Sequence, residues 1–301
     1  VLASSASKLD MQLPFRPVNR APRAGGVTLT AAATSCLILL RHGQSEWNLS
    51  NRFTGWADVP LTEQGRKDAK YAGKLLCDAG MKVDIIYSSG LERSIETAEI
   101  VRDMLQADPG TRRSKPVQFL QRHRLNERHY GALTGLDKRA ALTTMDAAQL
   151  SAWRSTFDGK PPPLEPSSPS FAEIAALEDA ARKEGLPGVP LTESIRDCCR
   201  RVEPLWRKEL RPAVLRRGKV VLVVGHANCL RALIKNVQGL SDEEMRSLGV
   251  PNGLPLVYEF SDSGKPLPNA LGEGGSIPPL TGNYLGVEAP WFEALDRDGG
   301  G

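Results

Sequence analysis

Two of the four histidines in this 301-residue chain stand directly behind short apolar runs. His42 follows Cys36-Leu37-Ile38-Leu39-Leu40 and Arg41, and His226 follows Val220-Val221-Leu222-Val223-Val224 and Gly225. A neutral imidazole is a usable nucleophile near physiological pH. Arg41 offers a planar fork of donors to phosphate oxygens. Gly43 has no side chain to keep a phosphate from the backbone. The chemistry this suggests is phosphoryl transfer, with one histidine attacking and the other stabilising charge on the equatorial oxygens. In a chain with so few histidines, two such placements are poorly explained by chance.

Other residue runs fit the same chemistry. Leu125-Asn126-Glu127-Arg128-His129-Tyr130-Gly131 supplies a carboxylate, Glu127, as proton-transfer candidate. The plainer reading of Glu127 is a surface salt bridge with Arg128. Arg93, one turn into a helix after Ser88-Ser89-Gly90, either points at the histidine edge or is a solvated helix charge. The loop Asn51-Arg52-Phe53-Thr54-Gly55-Trp56 offers backbone and hydroxyl donors to an oxyanion, and equally a pair of aromatic rings to pack. Phosphate-cradling motifs for nucleotides (GxxxxGK[ST], GxGxxG) and the HExxH zinc motif do not occur.

The elements that must position these residues alternate. Cys36–Leu40, 83–87, 117–120, 219–224 and 256–260 read as strands, because they are short, rich in apolar residues and bounded by polar residues, glycine or proline. Helices are expected from Thr62 as N-cap to Gly80, after Ser88-Ser89-Gly90 through Met104, over 140–157, from a Thr192 cap to Leu215 with a kink at Pro204, and from about Cys229. The Pro- and Ser-rich stretch 160–170 reads as loop. Strands alternating with helices predict an α/β fold, a mainly parallel sheet with helices on both faces. Ligands of such sheets bind beyond the carboxyl ends of the strands, so both histidines belong at one edge.

Composition narrows the function classes. The content is 41% hydrophobic and 25% charged, ordinary for a globular protein, and the net charge is only +4. That argues against an extended nucleic-acid surface. The five cysteines contain no CxxC pair, against a disulfide framework or zinc site. No uninterrupted apolar stretch approaches a membrane span. Residues 1–35 carry Lys8, Arg16, Arg20 and Arg23 against Asp10 and are rich in Ala, Ser, Thr and Pro, which reads as a transit-peptide-like segment or a disordered tail. Residues 36–260 form the expected catalytic domain. Residues 261–301 are rich in Gly and Pro and read as an irregular C-terminal tail that could act as a lid.

Leu40-Arg41-His42-Gly43-Gln44-Ser45-Glu46-Trp47-Asn48 resembles the signature of the histidine phosphatase superfamily. Within it, Asn51–Trp56, Leu125–Gly135, Val189–Ser194 and Gly253–Phe260 are similar to cofactor-dependent phosphoglycerate mutases, with a weaker echo at Tyr284-Leu285-Gly286. The resemblance implies interconversion of 3-phosphoglycerate and 2-phosphoglycerate, primed by 2,3-bisphosphoglycerate and without a metal, in glycolysis and gluconeogenesis. It implies that His42 carries the phosphoryl group, that His226 stabilises it in flight, and that Glu127 gives and takes the substrate proton. Arg41, Asn48 and Arg93 then hold the transferring group, and Thr54, Gly55, Arg128, Tyr130, Lys138, Arg154 and Asn228 complete the substrate pocket. Two positions depart from the family pattern. Trp153-Arg154-Ser155 stands where Trp-Arg-Arg is usual, and His226-Ala227-Asn228 where His-Gly-Asn is usual. A positive φ at the second site would strain an alanine by about 1 kcal/mol or more.

These readings leave three function classes. The leading expectation is the mutase, and the alternative is a phosphatase of the same superfamily acting on small phosphorylated metabolites. A silent binding protein is disfavoured by the intact His42, Glu127 and His226. Expected partners are small phosphorylated metabolites, with no nucleic acid and no membrane, and a homo-oligomer left open. The expected location is cytoplasmic, or plastid or mitochondrial where the N-terminal segment serves as a transit peptide.

Overall fold

The computed structural model describes residues 36–268 and 279–286. The readings made for 1–35, and for most of 261–301 including its role as a lid, fall outside these residues.

Alternate residues of the central strands feed two separate cores. In β1 (Cys36–Arg41), Leu37 and Leu39 enter one apolar cluster, while Ile38 and Leu40 enter the other. In β4 (Val220–Gly225), Val221 and Val223 join the first pair, and Leu222 and Val224 the second. A strand buried on both faces reads as a continuous apolar run, which is why these segments stand out in the sequence. Each fully buried aliphatic side chain contributes about 1.5–3 kcal/mol relative to exposure.

The sheet has six strands in the order β3-β2-β4-β1-β5-β6. β2 (Ile85–Ser88), β3 (Gln118–Gln121), β4 and β1 run parallel, while β5 (Leu256–Glu259) is antiparallel to β1 and β6 (Asn283–Tyr284) antiparallel to β5. Helices Glu63–Asp78 and Glu92–Ala107 cover one face. Helices Ile195–Leu205, Arg211–Leu215 and Ala227–Gln238 cover the other. The expected α/β architecture is the one observed, with β5 and β6 making the sheet mixed. Among the described residues no helix is long and apolar enough to cross a membrane.

Local structure follows the sequence with three corrections. Thr62 does cap its helix, accepting from the Gly65 N–H. Thr192 does not cap the next long helix. Its hydroxyl donates to the Pro161 carbonyl, and Ser194 caps instead, in a reciprocal box with Asp197. The stretch 140–157 is two helices, Lys138–Thr144 and Ala147–Ser155, because Asp146 starts a new N-cap. The helix also runs on through Pro204, and the distortion appears downstream as a π-turn over Trp206–Leu210. Pro212 follows that turn; it has no N–H to give the carbonyl four residues back and its ring crowds that carbonyl.

Candidate active site

The register of β1 and β4 places the two histidines. Arg41 pairs with Gly225, and the His42 N–H donates to the Gly225 carbonyl at 3.0 Å. The imidazole centroids lie 4.8 Å apart, tilted by 59°. Both rings are buried, His42 at 3% exposure and His226 at 0%.

The His42 ring is fixed in one tautomer. Its Nδ1 lies 2.6 Å from the Gly43 carbonyl, which can only accept, so Nδ1 carries the proton and Nε2 keeps its lone pair. Burial pushes its pKa well below the ordinary histidine value, and the nearby Arg93 and Arg41 charges lower it further. His226 is pushed down in the same way, by burial first and then by Arg93, His42 and Arg41. Both rings are therefore neutral at physiological pH.

Gly43 has a different reason from the one its position suggests. A Cβ there would stand 2.0 Å from the Gly65 carbonyl oxygen. The residue lets the start of helix Glu63–Asp78 pack against the β1 loop; a phosphate approaching the backbone is not needed to explain it. The Gly43 N–H donates to Thr97.

His226 is the residue before helix Ala227–Gln238. A helix N-terminus carries partial positive charge and free N–H groups. Here it holds Glu127, whose Oε1 accepts from the Asn228 N–H at 3.2 Å and from the Arg128 N–H at 2.7 Å. Ala227 adopts no positive φ, since Asn51 alone among the described non-glycine residues does so. Alanine at this position therefore carries no backbone strain.

Arg93 lies fully buried at the start of helix Glu92–Ala107 and donates to the Ala57 and Gly55 carbonyls at 2.8 and 2.9 Å. It thereby ties the Asn51–Trp56 loop to the histidines. Its Nε is buried without a partner, and burial lowers its pKa to about 10. Arg41 donates to the Val250 carbonyl, and its Nε is also buried without a partner. Gly55 has φ +55°, and a Cβ there would press on the Tyr130 N–H at 3.2 Å, so the loop and the Glu127 segment meet at a glycine. Thr54 is buried in the same loop.

Lys138 lies within electrostatic reach of Glu127, Arg41 and Arg154. Lys138 and Arg154 both stand over the Phe53 ring at 5.7 Å. Burial, with Arg41 and Arg154 adding repulsion, lowers the Lys138 pKa to about 8. Tyr130 accepts at its hydroxyl from Asn228 Nδ2 at 3.0 Å.

Two expected pocket residues are engaged elsewhere. The Arg128 guanidinium donates to the carbonyls of Glu193, Trp153 and Gly159. Asn48 gives its side-chain oxygen to the Ser45 N–H and hydroxyl in a local cap, leaving its Nδ2 for a ligand. Ser155 is exposed and bonds back to Ser151, while its carbonyl accepts from Arg246.

Other residues acquire a place in the site only from the structure. Ser89, read as part of a turn, lies 2.8 Å from His226 Nε2. Arg201, in a buried ion pair with Glu193, donates to the carbonyls of Arg124, Asn126 and Glu127. Trp56 Nε1 adds a bond to the same Glu127 carbonyl. Asn252 donates to the His42 carbonyl. A serine at the end of a strand was the only sequence signal for Ser89. Contacts such as Arg201 to Glu127 span most of a hundred residues and left none.

A paired-histidine centre at the carboxyl edge of this sheet can be compared with known proteins. The model of the histidine phosphatase superfamily (branch 1) matches residues 37–184 and 168–268. The chain belongs to the histidine phosphatase superfamily. Solved structures at low sequence identity share its fold. A putative alpha-ribazole-5'-P phosphatase from Escherichia coli is 22% identical, with a TM-score of 0.56 over 77% of this chain and 93% of that one. A mycobacterial glucosyl-3-phosphoglycerate phosphatase is 22% identical, with a TM-score of 0.55 over 85% and 99%. Bacillus stearothermophilus YhfR is 25% identical, with a TM-score of 0.51 over 77% and 93%. His42, Arg41, Arg93, Glu127 and His226 converge on one site at this edge of the sheet.

Proposed function

We propose that this enzyme interconverts 3-phosphoglycerate and 2-phosphoglycerate through a phosphorylated His42, primed by 2,3-bisphosphoglycerate. The observation that carries this reading is a second cation group, Lys138 and Arg154, set over the Phe53 ring, with Lys138 within electrostatic reach of Glu127. Hydrolysis of a phosphomonoester needs a grip on one phosphoryl group. A mutase must also hold a second anionic group while a bisphosphorylated intermediate turns around. The buried, unpartnered Nε atoms of Arg41 and Arg93 suit the primer's anionic charge. When bound, the primer supplies the phosphoryl group that charges His42.

The residues then divide the work. His42 Nε2 accepts the phosphoryl group in line, with Arg93 and Arg41 neutralising its oxygens. His226 faces the same group from the neighbouring strand end and donates to an equatorial oxygen. Glu127 takes the proton of the attacking substrate hydroxyl and returns it to the leaving one. Burial of both histidines keeps bulk water from the phosphorylated ring.

A phosphatase acting on small phosphorylated metabolites is the second reading. It is favoured by solved structures similar to this chain that are named as phosphatases, the alpha-ribazole-5'-P and glucosyl-3-phosphoglycerate phosphatases among them. Ser155 favours it as well, being an exposed, uncharged residue beside Arg154. Incubation with 3-phosphoglycerate, with and without 2,3-bisphosphoglycerate, separates the two. The mutase reading expects 2-phosphoglycerate, formed faster with the primer, in large excess over free phosphate. Free phosphate without isomerisation would replace it with the phosphatase reading.

A further inference from the structure

Arg231 belongs to none of the motifs that carry the proposed reaction, yet the structure brings it to the same pocket. It lies three residues after Asn228 on helix Ala227–Gln238, hence on the same helix face. Its Nη1 makes a long contact of 3.4 Å with Asn228 Oδ1, the amide whose nitrogen bonds Tyr130. Glu127, Tyr130, Arg41 and Tyr284 are all within its electrostatic reach.

Its anchoring parallels that of Arg41. Arg231 Nε donates to the Leu248 carbonyl at 2.7 Å, and Arg41 Nη1 to the Val250 carbonyl at 2.9 Å. Between them the Tyr284 hydroxyl donates to the Gly249 carbonyl at 3.1 Å. Asn252, from the same loop, donates to the His42 carbonyl. One short loop therefore registers Arg231, Arg41 and His42 against each other.

Neither arginine forms an ion pair with a carboxylate among the described residues. Arg201, which is more deeply buried, does pair with Glu193. A part-buried guanidinium held by the Leu248 carbonyl and the Asn228 amide oxygen, with no carboxylate bonded to it among the described residues, favours an anionic ligand. The planar fork matches the two oxygens of a carboxylate.

We propose that Arg231 is a specificity residue that binds the substrate's carboxylate and so selects phosphorylated hydroxy acids over phosphorylated alcohols. The inference rests on the substrate class named in the proposed function. Arg41 and Arg93 serve the transferring phosphoryl group, and Arg231 reads the group attached to the carbon beside the reacting hydroxyl.

The test is calorimetric titration of the full-length, dephosphorylated protein with 3-phosphoglycerate and with glycerol 3-phosphate, which has a hydroxymethyl group in place of the carboxylate. Arg231→Gln is expected to weaken 3-phosphoglycerate about tenfold or more and glycerol 3-phosphate less than about twofold, because a charge-assisted pair is lost only with the first. Arg231→Lys, which keeps the charge and the stem but not the fork, is expected to lie between. A selectivity ratio unchanged in both variants would overturn the inference, whether the two affinities fall together or stay as they were. Equal affinity of the unaltered protein for the two ligands would instead overturn the substrate class itself.

Discussion

The hydroxyl of Ser89 lies 2.8 Å from Nε2 of His226, and its oxygen already accepts from the Leu91 N–H. The hydroxyl hydrogen is free to point at Nε2, and in that arrangement the proton of the neutral ring sits on Nδ1. That Nδ1 is buried and has no partner among the described residues. It is a donor ready for an oxygen of the phosphoryl group. Ser89 is thus a positioning residue that sets the His226 tautomer.

Ser89→Ala is accordingly expected to lower kcat about tenfold or more, since leaving one buried polar partner unmatched costs about 1–3 kcal/mol. The ¹⁵N shifts of His226 should show loss of the Nδ1–H form in the variant. Retention of both kcat and the tautomer would rule this role out.

Glu127 accepts two backbone N–H bonds, from Arg128 and Asn228. Glu127→Gln keeps an acceptor oxygen there while removing the proton carrier. Turnover of phosphoglycerate should fall by about 10²–10⁴. Hydrolysis of p-nitrophenyl phosphate, whose leaving group needs no proton, should fall far less. Equal losses on both substrates would mean that Glu127 acts by holding structure.

Much of this site was legible in the sequence because its parts sit next to strong local signals. His42 and His226 follow the two most apolar strands, and that pattern places both at one edge before any contact is known. The Thr62 cap and the Pro- and Ser-rich loop were equally local. What escaped were partnerships between distant segments. The Ser194 cap was hidden behind an equally suitable Thr192, and only the position of Pro161 decides between them. Gly43 was read for a phosphate when its constraint is the Gly65 backbone. The Arg128 guanidinium also gave no local sign of its bonds to the carbonyls of Trp153, Gly159 and Glu193, which lie 25 or more residues away.

The buried pair Glu193–Arg201, with N···O at 2.7 Å, braces the backbone from Arg124 to Glu127. Glu193 also accepts from the His129 N–H. Glu193→Gln leaves a buried arginine without its counter-ion and should destabilise the fold by about 3–5 kcal/mol. Urea unfolding measures this directly, and a loss under about 1 kcal/mol would show that the pair is dispensable.

Stability should fall on mild acidification. His129 is fully buried, and burial, the largest cause, lowers its pKa to about 4. The unfolded chain protonates this ring near its ordinary value of about 6.5, so between the two values it binds more protons than the folded chain. Stability is therefore complete above pH ~6.5 and is lost as pH drops toward ~4, by about 3 kcal/mol from this residue. His42 and His226 shift in the same direction and add to the loss. His129→Asn, which keeps an acceptor for the Gly131 N–H, should flatten the slope in that window. An unaltered slope would contradict the assignment.

The central claim is that His42 carries the phosphoryl group between two phosphoglycerates. Incubation with 2,3-bisphosphoglycerate labelled in its phosphoryl groups, followed by a chase with unlabelled 3-phosphoglycerate, tests it most directly. The expected result is acid-labile, base-stable label on His42, absent from His42→Asn, that chases into phosphoglycerates in preference to free phosphate. Label that never forms, or that persists in His42→Asn, would contradict the account.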